Sequence, residues 1–247
     1  MAELAIDTTD INLSQDNLVI NAYLAKPREG NYPGVVVLQE IFGVNKHIKE
    51  VTEKIAKQGY VAIAPALFQR QVSDFAIGYS PEDVQLGRKY KAGTKASELL
   101  SDIQIAINYL KTLSQVKKEG FGCIGFCFGG HVAYLAATLP DIKATASFYG
   151  AGIVNDIPGG GLPTITRTSE IKGTLYAFFG IDDGSIPGIQ VDEIESELSK
   201  NRISHRVFRY DGADHGFFCD HRASYNPKAT VDAWEQVKQL FSQHLSS

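Results

Sequence analysis

The chain has 247 residues, of which 44% are hydrophobic and 21% charged, and its net charge at pH 7 is -4. A weakly acidic chain of ordinary globular composition has no basic field for nucleic acid and no polybasic patch for an anionic membrane. No basic start leads into an apolar segment, and no eighteen apolar residues run together. The sequence therefore predicts a cytoplasmic protein with no secretory signal and no membrane span.

The predicted elements alternate between strands and helices. Residues 18–25 alternate apolar and polar side chains, which predicts a half-buried strand, added antiparallel at the edge of a sheet. Further strands are predicted over 34–39, 60–67, 121–126, 144–150, 173–180 and 205–210, and helices over 46–58, 96–110, 129–138, 189–200 and 227–245. Residues 68–93 are polar and receive no assignment beyond a helix start at Ser80 and Pro81.

This order of elements predicts an α/β fold. Buried β-branched strands separated by helices indicate a mainly parallel, doubly wound sheet with helices on both faces. No repeat, linker or change of composition divides the chain, so a single domain over 1–247 is expected.

Reactive side chains follow several of the predicted strands. In open α/β sheets, ligands bind outside the carboxyl ends of the strands, so these are the positions where chemistry is expected. Four strand ends carry such residues: Gln39-Glu40, Cys127, Asp182-Asp183 and Asp214-His215.

The segment GFCFGGH, residues 125–131, has the pattern of a nucleophile elbow with Cys127 at its centre. A thiol at the start of a helix lies at the positive end of the helix dipole, which favours the thiolate. Taken alone, the motif is more often an inert buried cysteine in a glycine-rich turn. An acid and a histidine at later strand ends favour a nucleophile, because the order cysteine, aspartate, histidine is that of the α/β-hydrolase topology.

The histidine of this set is His215, which lies in a turn-rich stretch after a strand. The acid is either Asp182 or Asp183, since both lie where a carboxylate orients the imidazole of a triad. Asp214 is interpreted as a loop or capping residue. The other histidines, His47, His131, His205, His221 and His244, are interpreted as packing or surface residues. Three cysteines without a C-x-x-C pair predict neither a disulfide framework nor a zinc site, and Cys123 is interpreted as a core thiol.

Four segments, QEIFGVN (39–45), GFCFGG (125–130), GIDDGSIP (180–187) and GADHGF (212–217), resemble the dienelactone hydrolases (carboxymethylenebutenolidases). The likeness runs from about Tyr32 to the last helix. It implies an α/β-hydrolase fold, a small lactone or ester as substrate, and no cofactor or metal.

The resemblance also implies roles for individual residues. Cys127 matches the nucleophile, His215 the base and Asp183, four residues before Pro187, the acid. Glu40 matches a glutamate that contacts the resting thiol and takes its proton when substrate binds. The backbone N–H groups of Ile41 and Phe128 match an oxyanion hole.

The chain departs from the family where two arginines bind a substrate carboxylate. Cys219 occupies the position of one of them, and Arg88, with Tyr90 nearby, approximates the other. Arg222 could supply the missing charge, although a solvated surface arginine is the commoner reading.

The predicted activity is hydrolysis of a small lactone or ester through a thioester on Cys127. The alternatives are a broad carboxylesterase or thioesterase, and a non-enzymatic redox-responsive protein in which Cys127 is oxidised and pairs with Cys219. The predicted partner is a small-molecule substrate, without nucleic acid or membrane, and the predicted assembly is a monomer or weak homo-oligomer.

Overall fold

The computed structural model describes residues 3–245 and contains one eight-stranded sheet with helices on both faces. The strands are β1 (Ile6–Gln15), β2 (Leu18–Pro27), β3 (Tyr32–Leu38), β4 (Val61–Pro65), β5 (Val116–Phe126), β6 (Ile142–Phe148), β7 (Thr174–Gly180) and β8 (His205–Tyr210). The helices are α1 (Lys46–Lys57), α2 (Pro81–Ala92), α3 (Ala96–Thr112), α4 (Phe128–Ala136), α5 (Gly188–Lys200) and α6 (Pro227–Leu245), with a 3-10 helix at Thr164–Glu170.

The sheet order is β1-β2-β4-β3-β5-β6-β7-β8. Strands β3 to β8 pair in parallel, whereas β1 with β2 and β2 with β4 pair antiparallel. The carboxyl ends of the six parallel strands therefore meet at one edge of the sheet. The expected α/β fold with a mainly parallel sheet is confirmed.

Each face of the sheet is covered by its own helices because successive residues of a strand point to opposite faces. Val35 and Val37 belong to the core that α1 and α6 cover, and Val36 belongs to the core that α3 and α4 cover. All three valines are fully buried. Burial of one such side chain contributes about 1.5–3 kcal/mol, so both faces of the central strands anchor the fold.

The sequence interpretation was wrong about the edge of the sheet. Strand β2 is antiparallel, as expected, but β1 lies outside it and forms the true edge. The two strands make a hairpin in full register, from Ile6 opposite Pro27 to Gln15 opposite Leu18. Most of β1 is exposed, so its sequence lacks the apolar alternation that marks a half-buried strand.

The helix start at Ser80 and Pro81 is present, with a reciprocal capping box between Ser80 and Asp83. Residues before it form turns that lie beside the loop after β3, where Gly43 pairs with Ala76. This segment places Tyr79 at the carboxyl edge of the sheet. Among residues 3–245, no helix combines the length and hydrophobicity needed to cross a bilayer.

Candidate active site

Cys127 lies in a strained turn between β5 and α4. Its φ of 54° and ψ of -116° belong to a region that non-glycine residues seldom adopt. Backbone hydrogen bonds hold the turn from both sides, because Cys127 N–H donates to the Phe148 carbonyl at 3.0 Å and His131 N–H donates to the Cys127 carbonyl at 3.1 Å. Strain of this kind costs on the order of 1–3 kcal/mol and persists where the surrounding structure imposes it. The turn leaves the Cys127 side chain partly exposed at the carboxyl edge.

Two glycines make this turn sterically possible. A Cβ on Gly125 would collide with the carbonyl of Gly129, and a Cβ on Gly129 would collide with the carbonyls of Leu38 and Gln39. Because β5, α4 and the end of β3 approach so closely, a side chain at either glycine would push the helix away from the sheet. The start of α4 is thereby held directly beneath the Cys127 thiol.

His215 and Asp183 form a short hydrogen-bonded pair at the same edge. The Nδ1 atom of His215 lies 2.7 Å from Oδ2 of Asp183, whose side chain is fully buried. The other oxygen of Asp183 accepts the Ser185 N–H at 2.8 Å. Asp182 is exposed, and Asp214 accepts the N–H of His215 itself at 2.6 Å. The structure thus brings Asp183, and neither neighbouring aspartate, to the imidazole ring.

The electrostatics of His215 tie it to Cys127 as well. Burial by itself lowers the pKa of His215, but the negative charge of a Cys127 thiolate and hydrogen bonds to Asp183 and Cys127 outweigh burial and raise it to about 10. A thiol beside an imidazole that a carboxylate orients is the arrangement that nucleophilic catalysis uses.

The backbone N–H groups of Ile41 and Phe128 lack the regular hydrogen bonds of a helix or sheet. Phe128 is the first residue of α4, so its N–H has no partner within the helix. Ile41 lies in the turn after β3, and within residues 3–245 its N–H donates to no other group. Both residues are buried. Unpaired backbone donors are the kind of group that can stabilise a developing oxyanion.

Glu40 and Arg222 form an ion pair inside the site. Oε1 of the fully buried Glu40 accepts from an Arg222 terminal nitrogen (NH1) at 3.0 Å. Oε2 of Glu40 is buried and has no hydrogen-bond partner among the described residues. The guanidinium also lies 5.7 Å from the Phe42 ring centroid and 5.9 Å from that of Tyr79. The interpretation of Arg222 as a solvated surface residue was therefore wrong, and the hydrogen bond of Glu40 goes to Arg222 where a contact with the Cys127 thiol was expected.

Comparison with known proteins agrees with this architecture. A family model described as the dienelactone hydrolase family matches residues 20–245. A Synechocystis protein named "Putative carboxymethylenebutenolidase" is 56% identical over 241 residues, which cover 97% of this chain and 98% of that protein. The chain belongs to the dienelactone hydrolase family.

As a member of the dienelactone hydrolase family, the protein is a hydrolase of lactones or esters. A Bradyrhizobium protein named "Probable 2-oxo-3-(5-oxofuran-2-ylidene)propanoate lactonase" is 28% identical over 248 residues, covering 98% of this chain and 96% of that protein. A Klebsiella pneumoniae crystal structure described as a "Putative Dienelactone Hydrolase" has a TM-score of 0.88 at 27% identity, covering 97% of this chain and all of that one.

In this member of the family, Cys219 is a buried thiol in the wall of the site. Its Sγ donates to the Tyr79 hydroxyl at 3.3 Å, and that hydroxyl also accepts from Nδ2 of Asn45 at 3.1 Å. Burial, followed by the charge of Glu40, raises the pKa of Cys219 to about 11. Cys219 is therefore a neutral hydrogen-bonding group at neutral pH. All three cysteines are free.

Sequence reasoning missed Tyr149. This residue follows β6 directly, has a φ of 36°, and packs its ring 5.3 Å from that of His215. Its hydroxyl is buried and has no hydrogen-bond partner among the described residues. Burial, and then the charge of Glu40, raise its pKa well above the ordinary value. Its position at the carboxyl end of a parallel strand is the signal that could have identified it.

Arg88 and Tyr90 are not brought to the thiol. Arg88 is exposed on α2 and makes no ion pair with any residue in the described range 3–245. Tyr90 packs between the rings of Phe68 and Phe75. Helix α2 nonetheless borders the site, because Gly87 packs directly on the Ile41 carbonyl. A substrate role for Arg88 and Tyr90 therefore stays a prediction without a supporting contact.

Proposed function

We propose that the protein hydrolyses small lactones or esters through a thioester on Cys127, with Asp183 and His215 completing a triad. The observation that carries the proposal is the 2.7 Å pair of Asp183 and His215, whose imidazole also interacts with Cys127 at the elbow. Asp183 follows β7 and His215 follows β8, at the same edge of the sheet as the turn after β5 that carries Cys127. Convergence of three reactive groups in the order of a triad favours catalysis over packing.

The proposed reaction has two halves. The Cys127 thiolate attacks the substrate carbonyl, and the N–H groups of Ile41 and Phe128 stabilise the tetrahedral oxyanion. The carbon–oxygen bond then breaks, and the imidazolium of His215 protonates the departing oxygen. In the second half His215 takes a proton from water, the hydroxide attacks the thioester, and the carbon–sulfur bond breaks to regenerate the thiolate.

The test is Cys127→Ala, with Cys123→Ala as the matched control. Cys123 is a fully buried core thiol on β5, the strand before the elbow, so its variant reports the effect of removing a sulfur without removing the nucleophile. We expect Cys127→Ala to have no measurable turnover of an activated phenyl ester and an unchanged circular dichroism spectrum. Mass spectrometry of the wild type with a slow ester should find the acyl group on Cys127. Full turnover by Cys127→Ala would overturn the proposal.

We propose further that Arg222 selects substrates that carry a negative charge. Its guanidinium has five N–H donors, and only one hydrogen bond, to Glu40, is present among the described residues. A substrate carboxylate that binds the remaining donors would compete with Glu40 for the positive charge. Glu40, with its second oxygen already unpaired, would then be available to take the thiol proton. The lactone named for the Bradyrhizobium relative is itself a carboxylate, which agrees with this choice.

The test compares kcat/KM for a carboxylated lactone and a neutral ester in Arg222→Gln, Arg222→Lys and Arg88→Gln. Hydrogen bonds to charged groups contribute about 1.5–3 kcal/mol, so Arg222→Gln should lose roughly 10- to 100-fold on the carboxylated lactone. We expect a much smaller change on the neutral ester, partial retention in Arg222→Lys and no change in Arg88→Gln. Equal losses on both substrates would favour the broad carboxylesterase.

The redox alternative has less support. In this alternative peroxide oxidises Cys127 to a sulfenic acid, and a Cys219 thiolate attacks its sulfur and releases water. Cys219 has a raised pKa and a hydrogen bond to Tyr79, both of which disfavour its thiolate. Mass spectrometry after mild peroxide treatment tests this alternative, which requires a linkage between the two residues.

A further inference from the structure

Four potential metal ligands lie on the outer side of the segment that links His215 to Arg222. His47 and Glu50 are one turn apart on α1, and Asp220 and His221 come from the segment that follows His215. Nε2 of His221 lies 2.7 Å from Oε2 of Glu50 and 3.7 Å from Oδ1 of Asp220. Nδ1 of His47 lies 3.9 Å from the same Asp220 oxygen. We call these four residues the His47–His221 cluster.

His47 is the unusual member of the cluster. Its side chain is 4% exposed, and its buried Nε2 has no hydrogen-bond partner among the described residues, while its Nδ1 is the nitrogen that lies 3.9 Å from Asp220. A buried polar group without a hydrogen bond costs about 1–3 kcal/mol, and such groups in folded proteins call for a specific explanation.

Space for an ion exists beside these atoms. A cavity of about 110 Å³ is lined by His47, Glu50 and Asp220 among other residues. One ligand atom from each of these three residues lies within 4.8 Å of the others. Because a water molecule occupies about 30 Å³ in the liquid, the cavity has room for an ion and accompanying water.

We propose that the His47–His221 cluster binds a divalent transition-metal ion, of which Zn²⁺ is the best match. Two imidazole nitrogens and two carboxylate oxygens suit Zn²⁺, which binds such ligands at about 2.0–2.2 Å in a tetrahedron. Ligand atoms in a tetrahedron of that size lie about 3.3 Å apart. Three of the six atom pairs of the cluster lie 2.7 to 3.9 Å apart, and the ligand atoms of His47, Glu50 and Asp220 lie within 4.8 Å of one another. Binding of the ion therefore requires the side chains, His221 above all, to move inward. Ca²⁺ and Mg²⁺ prefer oxygen ligands and fit the two imidazoles poorly.

The charges around the cluster permit such an ion. The two carboxylates offset the charge of a divalent cation. The positive charges of two lysines repel such a cation. Nζ of Lys46 lies 3.7 Å from Oε1 of Glu50. Lys54 lies over the Trp234 ring and lines the cavity. Lys46 is largely exposed and free to turn into solvent. The metal would join α1 to the segment carrying Arg222, the residue after His221.

The test measures metal binding in Cys127→Ser, so that the active-site thiol does not contribute. Calorimetric titration with Zn²⁺ should find one ion per chain. The Co²⁺ complex should have the visible bands of a tetrahedral ion and no sulfur-to-cobalt charge-transfer band. Glu50→Gln and His221→Asn alter partly exposed side chains, and each should weaken binding by at least tenfold, the lower end of what loss of even an outer-sphere partner costs. His244→Asn, an exposed histidine at the end of α6, should bind as the parent does.

Three results would overturn the proposal: no saturable uptake of Zn²⁺, uptake unchanged in both Glu50→Gln and His221→Asn, or a charge-transfer band that reveals a cysteine ligand. Because the readout is binding and not ester turnover, failure of the metal site is distinguishable from failure of the proposed catalytic mechanism.

Discussion

Two histidines near the elbow, the partly exposed His215 and the buried His131, have pKa values shifted in opposite directions. His215 stands at the carboxyl edge of the sheet, where its pKa is raised to about 10. His131 lies inside α4, four residues after Cys127, where burial, followed by the charge of Lys91, lowers its pKa to about 4. Burial lowers the pKa of both imidazoles, so burial is not what separates them.

The difference lies in their partners. His215 faces a carboxylate at 2.7 Å and a thiol, whereas Nε2 of His131 lies 2.6 Å from the hydroxyl of Thr164. A hydroxyl satisfies a neutral imidazole but does not compensate for the charge of an imidazolium. His131 therefore links α4 to the 3-10 helix in the neutral state, and His215 is poised to hold a proton. His215 holds its proton because its partners carry or can carry negative charge. His131 stays neutral because its hydrogen-bond partner is an uncharged hydroxyl.

Asp183→Asn removes the charged partner of His215 and should have the largest effect among changes to the groups that surround the two histidines. Without the carboxylate, the pKa of His215 falls and its preferred tautomer is lost, so we expect kcat to decrease by about 10³- to 10⁴-fold. The measurement is kcat on an activated ester from pH 5 to 9. Asp182→Asn changes the exposed neighbour and should keep kcat within about twofold. Similar losses in the two variants would contradict the assignment of Asp183.

These residues show how far the sequence predicts the site. Cys127, Asp183 and His215 follow strands that the sequence predicts, and parallel strand ends meet at one edge, so their proximity could be inferred. The choice between Asp182 and Asp183 could not be made from the residues, because both follow the same strand. It depends on which side chain turns inward, and the family resemblance indicated Asp183.

Arg222 marks what the sequence could not predict. Its guanidinium reaches Glu40 by passing over Gly216, where a Cβ would collide with it and where φ is +83°. A backbone reversal at one glycine decides whether an arginine seven residues after His215 faces water or a buried carboxylate. Neither the hydrophobic periodicity nor the composition of the sequence predicts such a reversal of the backbone. The same is true of β1, whose pairing with β2 depends on a turn in which Asp16 has a φ of 53°.

The second prediction concerns the pH dependence of folding stability at His131. Its pKa is about 4 in the folded protein and about 6.5 in the unfolded chain. Between these values the unfolded chain binds a proton that the folded protein excludes, so stability is lost as pH falls from about 6.5 to about 4. The shift corresponds to roughly 3 kcal/mol in the free energy of unfolding.

His131→Gln tests this origin of the pH dependence, because it removes the titratable imidazole of His131 and leaves Cys127, Asp183 and His215 unchanged. We expect this variant to be less stable than the wild type in urea at pH 7, yet to lose roughly 2–3 kcal/mol less on going from pH 7 to pH 4.5. His244→Asn, an exposed histidine, should retain the wild-type loss. Thr164→Val deletes the partner but keeps the ring, so it should be destabilised by about 1–3 kcal/mol at pH 7 and still lose stability in acid. A wild-type pH dependence in His131→Gln would show that His131 is not excluded from protonation by the fold.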